Sequence, residues 1–238
     1  MVVVVFAYLQ KMTMVDFPGK IAATVFTIGC NFRCPFCHNP ELVIPPLAPP
    51  LYSEDEVISF LEKRKGKLSG LCITGGEPTL HGDDLLSFMK RVKDLGYAVK
   101  LDTNGSAPDV LQSYLDAGVL DYVAMDIKTS PEKYSMAIGY PEGLEDIVKR
   151  LSLSLDILKN SGISYELRTT AVPIFVDKKD FPLIGKWIEG APLYVIQRYR
   201  KEKVLDYEKS PDATYSKDDL MEFAEIVKSY VGRVEVRW

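Results

Sequence analysis

Short apolar, β-branched runs alternate along this chain with longer stretches whose apolar residues recur at helical spacing. Residues 2–8 are β-branched and aromatic and predict a strand. A turn at Pro18-Gly19, within residues 15–20, leads to a first buried strand at 21–28. Residues 45–50 are proline-rich and predict an exposed loop. Ser53-Glu54-Asp55-Glu56 is a capping box, opening a helix expected to reach about residue 65. Further strands are expected at 70–74, 97–102, 122–127, 164–172 and 193–197. Helices fall between them at 83–95 (closed by Gly96), 108–117, 144–159 and 181–189. Ser216 and Asp219 cap a last helix to residue 230, and residues 234–238 read as a short terminal strand. Six strand–helix alternations imply an α/β fold, with a parallel sheet and crossover helices.

Composition changes this picture little. The 238 residues, 47% of them hydrophobic, read as a single domain, 1–238. Its core is expected at about 14–200, with an N-terminal strand at 1–10 and a C-terminal helix and strand at 214–238 as appendages. A net charge of −4 argues against nucleic acid as a partner. The longest apolar run, residues 2–9, is too short to span a membrane and lacks a cleavage pattern, so a cytoplasmic location is expected.

The distinctive chemistry lies just after the first buried strand, in Gly29-Cys30-Asn31-Phe32-Arg33-Cys34-Pro35-Phe36-Cys37-His38-Asn39-Pro40. Three of the chain's four cysteines fall there, spaced C-x3-C-x2-C. A disulfide framework would leave one thiol odd. A zinc site of Cys30, Cys34, Cys37 and His38 is a second reading, although zinc ligands come usually from two separated knuckles. The spacing favours the third: an iron–sulfur cluster on three cysteines, with one iron open to bind and activate a ligand.

These cysteines, with an aromatic before the last one, resemble the signature of the radical S-adenosylmethionine (radical SAM) enzymes. Thr74-Gly75-Gly76-Glu77-Pro78 resembles that family's second motif, and Asp102-Thr103-Asn104-Gly105 and Asp126-Ile127-Lys128 resemble two more. The segments Met14-Val15-Asp16-Phe17-Pro18-Gly19-Lys20-Ile21 and Cys37-His38-Asn39-Pro40-Glu41-Leu42 look like the glycyl-radical-enzyme activases, above all those serving anaerobic ribonucleoside-triphosphate reductase. The resemblance implies a partial open (β/α)6 barrel. It also implies a 4Fe–4S cluster on Cys30, Cys34 and Cys37, and reductive cleavage of S-adenosylmethionine to a 5′-deoxyadenosyl radical. That radical would take hydrogen from a glycine of a partner glycyl radical enzyme. A flavodoxin or ferredoxin would be the reductant.

The other positions have two readings each. Gly75 and Gly76 make a tight turn; in the resembling family this segment holds the methionyl amino group through Gly76, while Glu77 binds the ligand or braces the loop. Asp102 and Asp126 end strands, where acids commonly cap or turn. The resemblance assigns them, with Lys128, to S-adenosylmethionine and a nearby monovalent cation, for which Thr103 is a further ligand. Arg168, inside an apolar strand, needs a partner: an acid of the barrel, or the ligand's carboxylate or ribose. Phe36 is a core aromatic or a stacking surface for adenine, and His38 a hydrogen-bonding partner of ligand or cluster. His81 reads as a surface or helix-entry residue, Cys72 as a small buried hydrophobe. The mixed charges of residues 197–203 make a solvated rim or face a partner protein. Competing functions are activation of pyruvate formate-lyase or radical chemistry on a small molecule, an iron–sulfur electron carrier for which Cys72 is the only fourth ligand, and a zinc-stabilised binding module.

Overall fold

The computed structural model describes residues 4–43, 51–139 and 144–238. The proline-rich segment at 45–50 and the start of the first predicted strand lie outside these residues. The strands are β1 (Val5–Thr13), β2 (Ala22–Thr27), β3 (Tyr52–Ser53), β4 (Gly70–Gly75), β5 (Ala98–Thr103), β6 (Tyr122–Asp126), β7 (Ser164–Ala171), β8 (Tyr194–Arg198) and β9 (Val234–Arg237). The helices are α1 (Pro40–Val43), α2 (Glu54–Glu62), α3 (Gly82–Asp94), α4 (Pro108–Asp116), α5 (Tyr134–Ile138), α6 (Leu144–Asn160), α7 (Asp180–Trp187) and α8 (Lys217–Val227). Hydrogen bonding runs through one sheet in the order β3-β1-β2-β4-β5-β6-β7-β8-β9, which has two ends and is therefore unclosed. The α/β class and the parallel core expected from the alternation are what the fold shows: β2/β4, β4/β5, β7/β8 and β8/β9 all pair parallel.

The chain packs as two compact units. One comprises Met1–Asn31, Glu41–Thr103 and Asp109–Val123. In it β1 runs antiparallel to β2 and carries β3 on its other edge. β1 extends to Thr13, past the apolar run that announced it, because pairing with β2 supplies backbone partners there, although Gln10, Lys11 and Met12 expose their side chains. Phe6 packs on Phe88 of α3, ring centroids 4.9 Å apart. The turn after β1 packs against this unit through Phe17. Phe17 is buried against Tyr122, and a Cβ at Gly70 would lie 2.8 Å from its ring. Asp16 accepts the Thr24 hydroxyl at 2.7 Å. The capping box of α2 forms as predicted: Ser53 Oγ accepts the Glu56 N–H while the Glu56 carboxylate accepts the Ser53 N–H. That helix ends at Glu62 rather than near residue 65, because the next turn tightens through Arg64 N–H to Leu61 O and Lys67 N–H to Arg64 O.

The second unit comprises Phe32–Pro40, Asn104–Pro108 and Ala124–Trp238. Its core includes an aromatic cluster. Phe181 of α7 stacks on Phe223 of α8 at 4.4 Å, with Tyr215 edge-on at 4.9 Å. Ser216 and Asp219 form the predicted second capping box. The terminal strand β9 extends the sheet parallel to β8, and Arg237 reaches the buried Glu166 of β7 at 2.7 Å.

Candidate active site

In the first unit the ladder between β2 and β4 continues past both strands. Gly76 N–H donates to Thr27 O at 3.0 Å and Glu77 N–H to Gly29 O at 2.7 Å, one residue before Cys30. This approach is why two glycines stand here. A Cβ at Gly76 would lie 1.9 Å from Gly29 O. Gly75 has φ +132°, and a Cβ there would lie 2.3 Å from Thr27 N. The Gly-Gly turn therefore fixes the lead-in to the cysteine segment. Glu77 is 1% exposed and acts as a brace. Its Oε1 accepts the Thr79 N–H (3.1 Å), the Thr79 hydroxyl (2.6 Å) and the Thr103 hydroxyl (2.7 Å), tying the end of β5 to the turn. His81 ends the turn that enters α3, its Nε2 3.0 Å from Ile28 O, and burial lowers its pKa.

Asp102 also has a partner. Lys100, two residues earlier on the same face of β5, is 1% exposed and sends its ammonium to Asp102 Oδ1. On the way Nζ passes 3.9 Å from Cys72 Sγ and 6.0 Å from the centre of the Tyr122 ring. Cys72 is fully buried opposite Lys100 in the β4/β5 register, the buried position expected of it.

In the second unit the segment at 32–40 is pinned by backbone. Arg33 N–H donates to Ile138 O at 2.8 Å, and a Cβ at Gly139 would lie 2.3 Å from Arg33 O. Cys37 N–H donates to Cys34 O at 3.0 Å, so these two thiols flank one turn. Phe36 is buried against Phe175, centroids 5.1 Å apart. The His38 ring stacks on Tyr199 at 5.9 Å, with Nε2 2.7 Å from Arg200 O, tying it to the loop after β8. There His38, Arg198, Arg200, Glu202 and Lys203 line a pocket of about 340 Å³. At the end of β6, Asp126 lies between two cations: Oδ2 accepts Lys128 Nζ at 2.7 Å and Oδ1 accepts Arg168 Nε at 3.0 Å. Arg168 thus takes the first of its two expected partners, an acid of the sheet. Burial pushes the Asp126 carboxyl up, but Lys128 and Arg168 outweigh it and hold it at about 2. Burial likewise opposes the charge on Lys128. Asp126, and after it Cys34, outweigh that and raise its pKa.

Residues 24–177 match the Radical SAM superfamily. The chain belongs to that superfamily of enzymes. It is 31% identical over 226 residues, 95% of its length and 92% of the relative's, to a protein of Methanocaldococcus jannaschii named as a candidate glycyl-radical enzyme activating enzyme. It is 28% identical to the pyruvate formate-lyase-activating enzyme of Clostridium pasteurianum, over 72% of this chain and 70% of that one. Among solved structures it resembles SuiB of Streptococcus suis bound to S-adenosylmethionine. The TM-score is 0.64 at 15% identity, over 89% of this chain and 48% of that one, so the chain spans about half of SuiB. At that identity the likeness is one of fold.

Radical SAM enzymes use a 4Fe–4S cluster and S-adenosylmethionine. The donor set suits such a cluster. Cys30, Cys34 and Cys37 are all unbridged, and among the described residues no three His, Cys, Asp or Glu side chains group around a single ion. In a cubane each thiolate binds its own iron, so convergence on one ion is not required. One donor read for a monovalent cation already has a cation: the Asp102 carboxylate meets the Lys100 ammonium. Lys100 is the residue that sequence reading passed over. Its signal was a lysine at an inward position between Val99 and Leu101, which are fully buried. No helix among the described residues is long and apolar enough to cross a membrane.

Proposed function

We propose that this enzyme is a cytoplasmic activase of a glycyl radical enzyme, and that the partner is anaerobic ribonucleoside-triphosphate reductase. The observation that carries the proposal is the near-full-length match to the Methanocaldococcus relative by a chain that holds all three cysteines of the signature. The choice of partner rests on the segments Met14–Ile21 and Cys37–Leu42. The bound cluster and S-adenosylmethionine supply a one-electron cleavage that leaves a 5′-deoxyadenosyl radical. The chain's own part is to hold and orient. Cys30, Cys34 and Cys37 carry the cluster. The main chain of Gly75 and Gly76, braced by Glu77, meets the methionyl amino group. Asp102 with its neighbour Thr103, and separately Asp126 with Lys128 and Arg168, are the groups that the family resemblance assigns to the polar parts of S-adenosylmethionine. Phe36 and His38 fix the segment between the cysteines and the β8 loop. With four cysteines in all, the chain has no second cysteine cluster, so the electron comes from a separate flavodoxin or ferredoxin.

Anaerobic incubation with S-adenosylmethionine and dithionite tests the chemistry: 5′-deoxyadenosine and methionine should appear together. Adding the reductase should then give a glycyl radical doublet by electron paramagnetic resonance. No cleavage by fully loaded protein overturns the whole reading. Cleavage without the doublet overturns the partner alone, and pyruvate formate-lyase, favoured by the Clostridium relative, is the next to add.

A further inference from the structure

We propose that the ammonium of Lys100 is a built-in cation: it takes the place of a bound monovalent ion beside Asp102 and positions that carboxylate for S-adenosylmethionine. This rests on the reading of Asp102 as a ligand-binding residue.

The observations all lie within the first unit. Lys100 faces the same side of β5 as Asp102, because residues two apart on a strand share a face. It is 1% exposed, and burying an ammonium is costly unless a charged partner receives it. Its surroundings are otherwise soft: the Cys72 thiol at 3.9 Å and the face of Tyr122 at 6.0 Å. Asp102 is the carboxylate it reaches, and the Asp102 side chain keeps 14% of its surface, so the acid is held from the core side while part of it stays open. An apolar residue would fill the Lys100 position more cheaply. What the lysine adds is one fixed positive charge at the carboxylate. A mobile cation would need oxygen donors at that same point. Here that point is filled by the Lys100 ammonium itself. Lys100 is thus a positioning residue, acting through Asp102.

The test is S-adenosylmethionine binding to the cluster-loaded enzyme by isothermal titration, in potassium, sodium or N-methylglucamine chloride at equal ionic strength, with thallium-205 NMR of the metal-free protein as a second readout. The wild-type affinity should be the same in all three salts, and thallium should show no saturable site. Lys100→Met should weaken binding about thirtyfold or more in N-methylglucamine. Potassium should restore part of that loss, since a small ion can enter the vacated place, and Lys100→Arg should retain binding. A wild-type enzyme that needs potassium or sodium to bind overturns the inference while leaving the proposed function standing. So does a Lys100→Met protein that loses only thermal stability and binds as before. Failure of the wild type to bind at all overturns both. Should Lys100→Met not fold, the wild-type salt series and the thallium titration still decide.

Discussion

Asp102, next to last in β5, and Asp126, last in β6, each meet a lysine two residues away in sequence, but the two pairs are built in opposite ways. Lys100 comes before its acid, lies inside β5 and has a side chain 2% exposed. Lys128 comes after its acid, in the loop past β6, with a side chain 21% exposed, and Asp126 has Arg168 as a second cation. The first pair is set into the core, where removing one partner strands the other in a dry environment. The second is a three-membered rim network that water can partly replace. Buried position, not the identity of the two charged groups, decides how much each pair matters for stability.

Lys100→Met should cost about 3–5 kcal/mol in denaturant unfolding, the range for breaking a buried pair on one side. Lys128→Met should cost about 1 kcal/mol or less, because Asp126 keeps Arg168 and the site is partly wet. Equal losses would mean that burial is not what separates them. Gly76→Ala comes next. A methyl 1.9 Å from Gly29 O must push β4 and the lead-in to Cys30 apart, so iron loading should fall severalfold even in protein that stays folded. Iron and sulfide analysis reads this directly, and normal loading would detach the Gly-Gly turn from the cysteine segment.

The third contrast is one of pH. The Asp126 carboxyl is held at about 2, below its ordinary 3.8. A depressed acid contributes stability that is complete above the unfolded value and lost as pH falls through the folded one. The loss therefore falls between about pH 4 and pH 2, and amounts to about 2 kcal/mol. Asp126→Asn should flatten the acid limb of the stability curve there, and an unchanged limb would remove the carboxylate from the account. Lys128 works in the opposite sense. Its raised pKa contributes stability below its ordinary 10.5 that disappears only in strong alkali, so neutral and mildly alkaline pH should show no slope from it.

Much of this was legible along the chain because the signals are local. Ser53 with Glu56, and Ser216 with Asp219, announce helix starts within four residues. Gly75-Gly76 announces a close approach, although it does not say that the approaching atom is Gly29 O. What could not be read depends on neighbours far away in sequence. Arg168 plainly needed an acid or a ligand, and only the geometry of β6 and β7 chooses Asp126, 42 positions away. The hydrogen bond that Glu77 accepts from Thr103 spans 26 positions, and no local pattern announces it. Lys100 sat unnoticed because both faces of β5 are buried, Val99 and Leu101 as fully as Lys100, so no apolar–polar alternation marks the lysine as an inward one.

The most direct test of the central claim, that three cysteines hold a cluster able to receive S-adenosylmethionine, is electron paramagnetic resonance of the reconstituted, reduced protein with and without that compound. The account predicts a cluster signal from about four irons per chain that changes shape when S-adenosylmethionine is added. A cluster signal that stays the same at saturating S-adenosylmethionine would contradict it.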